Sequence, residues 1–400
     1  MPFAGYIAPE PAQPMRSFAL NTSANHPDAF SDLTVQAAVL HHAGGQFSME
    51  QLTLNDLRDD EVLVKLVATG VCHTDISFMG RPFMVDKPVV LGHEGAGYVC
   101  AVGSKVKHLR AGDPVVLSFD ACGHCESCNE DHPSYCHAFI EHNFLAQRPD
   151  GTTAWQGASG PVRHAFFGQS SFATYSVCHE RNAIKMDDDR DLEMFGPLGC
   201  GFQTGAGAVL NVLQPSDQQS IVVFGVGSVG LAAVMAAAAM KARYIIAVDL
   251  KDSRLEMAQR VGATHVIRGD QCEDIVATIK SITNAGAHRS LDTTANMRVL
   301  RQAVECLRPQ GVCGFVGGAP AGSELVVDVR DIMIGGKTVR GIVEGDSNPS
   351  ELIPRLVEMY RTGDFPMDRL IRYYPFDQIT QAIHDSESGD AIKAILRMPA

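Results

Sequence analysis

Ser220-Ile221-Val222-Val223-Phe224-Gly225-Val226-Gly227-Ser228-Val229-Gly230, with an Ala-rich run to Met240 and then Tyr244-Ile245-Ile246-Ala247-Val248-Asp249, decides the fold of this chain. The short apolar run before Gly225 suits a fully buried parallel strand, and the glycines follow it without a break. The helix expected from Leu231 to Met240 is apolar on nearly every side, so it must be sandwiched against a sheet. Gly225 permits a tight turn, Gly227 lets backbone approach a pyrophosphate, and Gly230 lets helix pack on strand, while free N–H groups at the helix start face phosphate charge. A lone G-x-G-x-x-G is weak in a chain with 37 glycines. Asp249, at the end of a second strand, supplies the context it lacks and would accept hydrogen bonds from a ribose diol. A 2′-phosphate about 4 Å from Asp249 would be repelled by about 4 kcal/mol per unit charge at an effective dielectric near 20. That favours NAD over NADP, although Lys251 and Arg254 offset part of the repulsion.

The 400 residues leave room for two or three domains. With 45% hydrophobic and 20% charged residues, the composition is that of an ordinary globular protein. A net charge of -13 repels phosphate backbones, which argues against nucleic acid or an anionic membrane as the main partner. No apolar run is long enough to span a membrane, and the first 34 residues lack the features of a signal peptide, so a cytoplasmic location is expected. Pro2, Pro9, Pro11 and Pro14 make residues 1–34 an irregular arm, either wrapped on a neighbouring subunit or disordered, with disorder favoured. Eleven cysteines without a secretion signal point to metal rather than disulfides.

Thr34–Leu40 and Glu61–Val67 alternate apolar and polar residues between turn-rich segments, so the N-terminal half reads as β-rich and barrel-like. It carries Gly70-Val71-Cys72-His73-Thr74-Asp75 and Leu91-Gly92-His93-Glu94-Gly95-Ala96-Gly97. Cys122, Cys125, Cys128 and Cys136 follow, spaced C-x2-C-x2-C-x7-C, which suits a closed tetrahedral zinc site. An iron–sulfur cluster or disulfides compete with that reading. His137 to Arg163 looks polar and irregular, and Phe166-Phe167-Gly168-Gln169-Ser170-Ser171-Phe172 reads as the start of another β run. Gly199-Cys200-Gly201 and the small residues to Ala208 read as a closely packed helix. After Asp249, helical and strand patterns alternate through Val266-Ile267, Ser290-Leu291-Asp292, Val312 to Val316 and Thr338 to Ile342, as in a doubly wound parallel sheet. Asn348-Pro349 with Glu351 opens a capped helix, and Ile392 to Met398 reads as a final strand. Cys100, Cys178, Cys272, Cys306 and Cys313 read as packing residues.

Cys72, His93 and Cys200 make a Cys2His set of the kind a catalytic zinc with one open position requires. From about residue 35 onward the chain resembles the zinc-dependent medium-chain alcohol dehydrogenases, with five motifs in that family's order: Gly70 to Asp75, Gly92 to Gly97, the four-Cys lobe, Gly199 to Thr204 and the glycine turn. The resemblance implies an α/β architecture with a GroES-like β-rich catalytic domain (residues 35–202 and 346–400) and a Rossmann NAD-binding domain (203–345). It implies two zinc ions per chain, a catalytic one on Cys72, His93 and Cys200 and a structural one on the four-Cys set. It implies Thr74 as the hydroxyl that takes the substrate proton, Asp75 as the partner of His93, and Glu94 as a carboxylate near the metal. Thr204 and Val229 fall where the family contacts nicotinamide, and His73 and Lys393 where it places basic groups near the pyrophosphate. Ser77 departs from liver-type members, which carry a proton-relay His there.

What the resemblance implies chemically is hydride transfer between a primary alcohol and NAD, assisted by the metal as a Lewis acid. The stretch from Phe166 and the residues around Cys122 resemble the aryl-alcohol and geraniol branch, with Phe166 and Phe167 as pocket walls for flat conjugated substrates or, on the rival reading, β-core residues. Short aliphatic alcohols and formaldehyde adducts remain as alternative substrates, and a non-catalytic zinc-ribbon nucleotide sensor as a remote one. The family implies a homodimer or homotetramer.

Overall fold

Six parallel strands assemble around the glycine turn in the computed structural model, which describes residues 33–80 and 85–399. The arm expected over residues 1–34 lies almost wholly outside the described residues. Across the sheet the order is His265–Arg268, Tyr244–Asp249, Ser220–Phe224, Ala287–Asp292, Leu307–Phe315 and Thr338–Gly341. The chain thus winds outward from Ser220–Phe224 in both directions, and a crevice opens beyond the carboxyl ends of the strands where the winding reverses. Ser220–Phe224 is buried throughout, as a strand covered on both faces must be.

Ser228–Ala239 covers one face, with every residue from Gly230 to Ala237 buried. Alanine side chains are short enough to let the helix lie close to the strands. Gly225 takes a left-handed φ of 79°, which its lack of a Cβ permits. A Cβ added at Gly230 would lie 1.9 Å from the Gly225 carbonyl oxygen, so helix and strand can meet only through a glycine. A Cβ at Gly227 would meet nothing within 4 Å, so the protein's own packing does not demand that glycine.

The N-terminal half forms two antiparallel-rich sheets, one of five strands and one of seven. Glu61–Gly70 is central to the larger, pairing with Gly95–Val102 and with Tyr175–His179. The last strand, Lys393–Arg397, returns to this sheet antiparallel, with Ile395 opposite Gly70. The Val71 amide donates to the Ala394 carbonyl at 2.9 Å. Residues more than 300 positions apart in sequence are thereby set side by side at the mouth of the crevice.

Two stretches differ from the sequence reading. Within His137 to Arg163, Phe139–Asn143 is helical, and Trp155–Gly157 pairs with Gly160–Val162. Phe166–Gly168 is a tight turn rather than a strand, with left-handed φ at Ala165 (67°), Phe167 (50°), Gly168 (66°) and Ser170 (54°). Buried polar side chains impose that conformation over the apolar pattern. Ser170 Oγ accepts from the Phe166 amide at 2.9 Å and donates to the Val90 carbonyl at 2.6 Å. Gln169 accepts from the Gly95 amide and donates to the His93 and Ser118 carbonyls.

The two glycines separate packing from ligand space. Gly230→Ala should lower the urea unfolding midpoint by the equivalent of about 2–3 kcal/mol, and Gly227→Ala by less than about 0.5 kcal/mol. Equal losses would contradict the close approach at Gly230.

Candidate active site

Cys72 sits in extended backbone at the N-cap of the helix His73–Met79, and Asp75, in the first turn, reaches back to accept from the Cys72 amide at 3.0 Å. The other oxygen of Asp75 accepts from the Gly92 amide at 3.0 Å and from His93 Nδ1 at 2.8 Å. Because the carboxylate is an acceptor, Nδ1 carries the proton and the Nε2 lone pair is free. That Nε2 is buried and has no hydrogen-bond partner among the described residues. Cys200 enters from a third direction, at the N-cap of the helix Gly201–Gly207. The Cys72 and Cys200 sulfurs and a His93 ring nitrogen lie within 4.8 Å of one another. Donation from Cys200 holds the Cys72 thiol well below the usual thiol range, and the same bond holds Cys200 well above it. A buried orphan imidazole nitrogen facing two sulfurs is a donor set that a zinc ion completes.

Cys122, Cys125, Cys128 and Cys136 form a second group with sulfurs within 4.8 Å of one another, and all eleven cysteines are free of disulfides. Backbone amides point at these sulfurs: Cys125 and His124 at Cys122 (3.3 and 3.5 Å), His137 at Cys125 (3.4 Å) and Cys122 at Cys136 (3.2 Å). Such N–H donors stabilise thiolates, and four thiolates in a short loop fit a closed tetrahedral ion. His124 Nδ1 lies 2.9 Å from the Cys122 carbonyl oxygen rather than on a sulfur.

Glu94 and Lys393 have each other as partners. Lys393 Nζ is 2.9 Å from both Glu94 oxygens and 3.2 Å from the Val71 carbonyl, with both side chains fully buried. The sequence reading placed Glu94 near the metal and Lys393 near the pyrophosphate, and Glu94 does lie beside the Cys200 segment, accepting from the Gly201 amide at 3.2 Å. Burial makes the pair neutralise itself, because neither charge can stand alone in the interior.

A cavity of about 600 Å³ opens from Cys72 and Cys200 toward the strand ends. Thr74 and Ser77, three residues apart and so on one helical face, line it together with the exposed His73. Phe78, Tyr135, Phe139, Phe144 and Phe167 form its aromatic wall. Phe167 also stacks on the His93 ring at 4.4 Å, and Phe166 packs edge-on behind it, fully buried. Tyr135, Phe139 and Phe144 escaped the sequence reading because they lie in the zinc lobe and in a stretch read as irregular.

At the opposite end of the cavity, Thr204 and Val229 stand beside Val316, Gly317, Gly318 and Ile342. The helix Ser228–Ala239 begins there without a side-chain cap, above the empty space at Gly227, which is the cradle a pyrophosphate needs. Asp249 accepts from the Val226, Leu250 and Lys251 amides. Arg254 donates through Nη2 to the Ala391 carbonyl at 3.1 Å, while its buried Nη1 has no partner among the described residues. Glu344, which nothing in the sequence singled out, also lines the cavity, and burial pushes its carboxyl up to about 7.

Comparison with known proteins agrees with this geometry. Residues 228–360 match the family model described as zinc-binding dehydrogenase, and residues 58–188 the alcohol dehydrogenase GroES-like domain. Geraniol dehydrogenase of Castellaniella defragrans is 44% identical over 91% of this chain and 98% of its own length. Among solved structures, an alcohol dehydrogenase zinc-binding domain protein from Burkholderia ambifaria has a TM-score of 0.90 at 48% identity, covering 92% of this chain and 99% of that one. Benzyl alcohol dehydrogenase from Acinetobacter calcoaceticus has a TM-score of 0.88 at 44% identity, with the same coverage of each.

Metal analysis of the purified protein should find about two zinc ions per chain, and Cys200→Ala about one, since four thiolates keep theirs. Asp75→Asn should weaken one of the two ions about 10- to 100-fold in chelator competition while sparing the other. Unchanged affinity at both would remove Asp75 from the support of His93.

Proposed function

The chain belongs to the zinc-dependent medium-chain alcohol dehydrogenases, and on that premise we propose that it interconverts aromatic or allylic primary alcohols and their aldehydes with NAD as hydride carrier. The observation that carries the substrate class is the aromatic wall, Phe78, Tyr135, Phe139, Phe144 and Phe167, converging on Cys72 and Cys200. Flat conjugated groups gain both burial and ring–ring contact against such a wall. The names of the geraniol and benzyl alcohol relatives support the same class.

In this reading Cys72, His93 and Cys200 hold the catalytic zinc, and Cys122, Cys125, Cys128 and Cys136 the structural one. Bound zinc supplies a Lewis acid that makes an alcohol hydroxyl more acidic, and bound NAD supplies the hydride acceptor. Thr74 Oγ1 accepts the hydroxyl proton while its own hydroxyl proton passes on to water at the cavity mouth, and Ser77, on the same helical face, offers a hydroxyl but no base to end that relay. Asp75 keeps His93 in the tautomer that presents Nε2 inward. The Glu94–Lys393 pair stiffens the seam between Gly201 and the last strand, since the Gly201 amide also donates to Glu94 at 3.2 Å. Thr204 and Val229 seat the nicotinamide, Gly225, Gly227 and Gly230 the pyrophosphate with His73 nearby, and Asp249 and Arg254 the adenosine ribose. Phe167 faces the substrate, and Phe166 backs it.

The β-rich part, residues 35–202 and 346–400, acts as the catalytic domain and 203–345 as the NAD-binding domain. The edge strand Thr338–Gly341 and the exposed Val326, Val329, Met333 and Ile334 support a homodimer or homotetramer formed along that edge. No helix of the described residues is long and apolar enough to cross a membrane. With its free thiols, that supports a cytoplasmic location.

The test is a panel of benzylic, allylic and short aliphatic alcohols followed by NADH absorbance. Benzyl alcohol and geraniol should exceed ethanol in kcat/KM by about a hundredfold or more. Ethanol as the better substrate would remove the aromatic assignment and leave the family intact.

A further inference from the structure

We propose that Glu344 is the counter-charge through which this cleft binds the oxidised, cationic nicotinamide ring in preference to the reduced, neutral one. The inference rests on the cofactor reading above. Glu344 is the one carboxylate among the described residues lining the cavity, at the end shared with Thr204, Val229 and Ile342. It is buried, and the two hydrogen-bond donors on it are neutral, Thr204 Oγ1 at 3.3 Å and Gln203 Nε2 at 3.4 Å, with Cys200 Sγ 3.9 Å away. The other two buried acids of the site differ in this respect, because Glu94 has Lys393 and Asp75 has the His93 ring.

The backbone holds the group in place. Glu344, Gly345 and Asp346 have consecutive left-handed φ of 47°, 72° and 53°, a conformation that non-glycine residues rarely adopt. Ser347 Oγ donates to the Glu344 carbonyl, and Gln203 Nε2 is anchored on the Gly199 carbonyl at 2.6 Å and Ser118 Oγ at 2.8 Å. A buried carboxylate with no cationic side chain hydrogen-bonded to it among the described residues is stabilised by a ligand that brings positive charge. Two thiolates cancel the formal charge of a zinc ion on Cys72, His93 and Cys200, which leaves the oxidised ring as the cation of the cleft.

Equilibrium dissociation constants for NAD⁺ and NADH, measured without substrate by calorimetry and NADH fluorescence on the zinc-loaded wild type, E344Q and E344D, test this. E344Q should weaken NAD⁺ about tenfold and change NADH by less than about twofold. E344D keeps the charge and should hold the wild-type ratio within about threefold, and it carries the test if E344Q fails to fold. A ratio unmoved by E344Q, or lost equally in E344D, overturns the proposal. Wild-type protein that binds neither nucleotide overturns the cofactor reading with it, so the two failures are told apart.

Discussion

One buried carboxylate holds the centre of this molecule together. Asp75 accepts from the Cys72 amide, the Gly92 amide and His93 Nδ1, so the segments carrying the candidate ligands Cys72 and His93 are locked to a single side chain. Each bond has a charged acceptor in a buried site, and such bonds are about twice as strong as neutral ones. Without the Asp75 side chain, the helix start at Cys72 would lose its cap and the imidazole its fixed tautomer together. The third member of the group, Cys200, arrives from the start of another helix, and its position depends on packing of the two halves of the chain.

That packing is itself anchored by charge. The strand Lys393–Arg397 closes the larger sheet and carries its buried ammonium to Glu94, the neighbour of His93. Removing one partner of a buried pair typically costs about 3–5 kcal/mol, because the other is left uncompensated. The C-terminal strand therefore supports the candidate metal site, although none of its residues belongs to the Cys72, His93 and Cys200 group. The four-Cys lobe has a comparable indirect role. It brings Tyr135 to the cavity, where its hydroxyl is 3.5 Å from the Gly341 carbonyl on the edge strand of the other sheet.

The turn from Ala165 to Ser170 shows how local pattern and tertiary demand can conflict. Its apolar residues read as a strand, but Gln169 and Ser170 satisfy buried backbone groups on Gly95, His93, Ser118 and Val90. Those bonds offset the strain of left-handed backbone at non-glycine residues. The conformation they impose lays the Phe167 ring flat against His93, so one residue packs the ligand and faces the cavity.

Short-range chemistry was legible from sequence by itself. The glycine turn requires residues without a Cβ at defined offsets, the four-Cys lobe carries its ligands within one loop, and the strand periodicities follow from two-sided burial. Each is a constraint acting over a few residues, so the chain order displays it. The tertiary structure alone decided that Lys393 turns to Glu94, that Phe166 lies behind Phe167, that Phe139 and Phe144 join the cavity wall, and that Glu344 enters the cleft. Those outcomes depend on which buried charge or ring finds a partner from a distant segment, and on left-handed backbone that no residue type at 344 announces. Long-range neutralisation and space filling are properties of the packed interior, where the energy of a side chain is set by neighbours the sequence places far away.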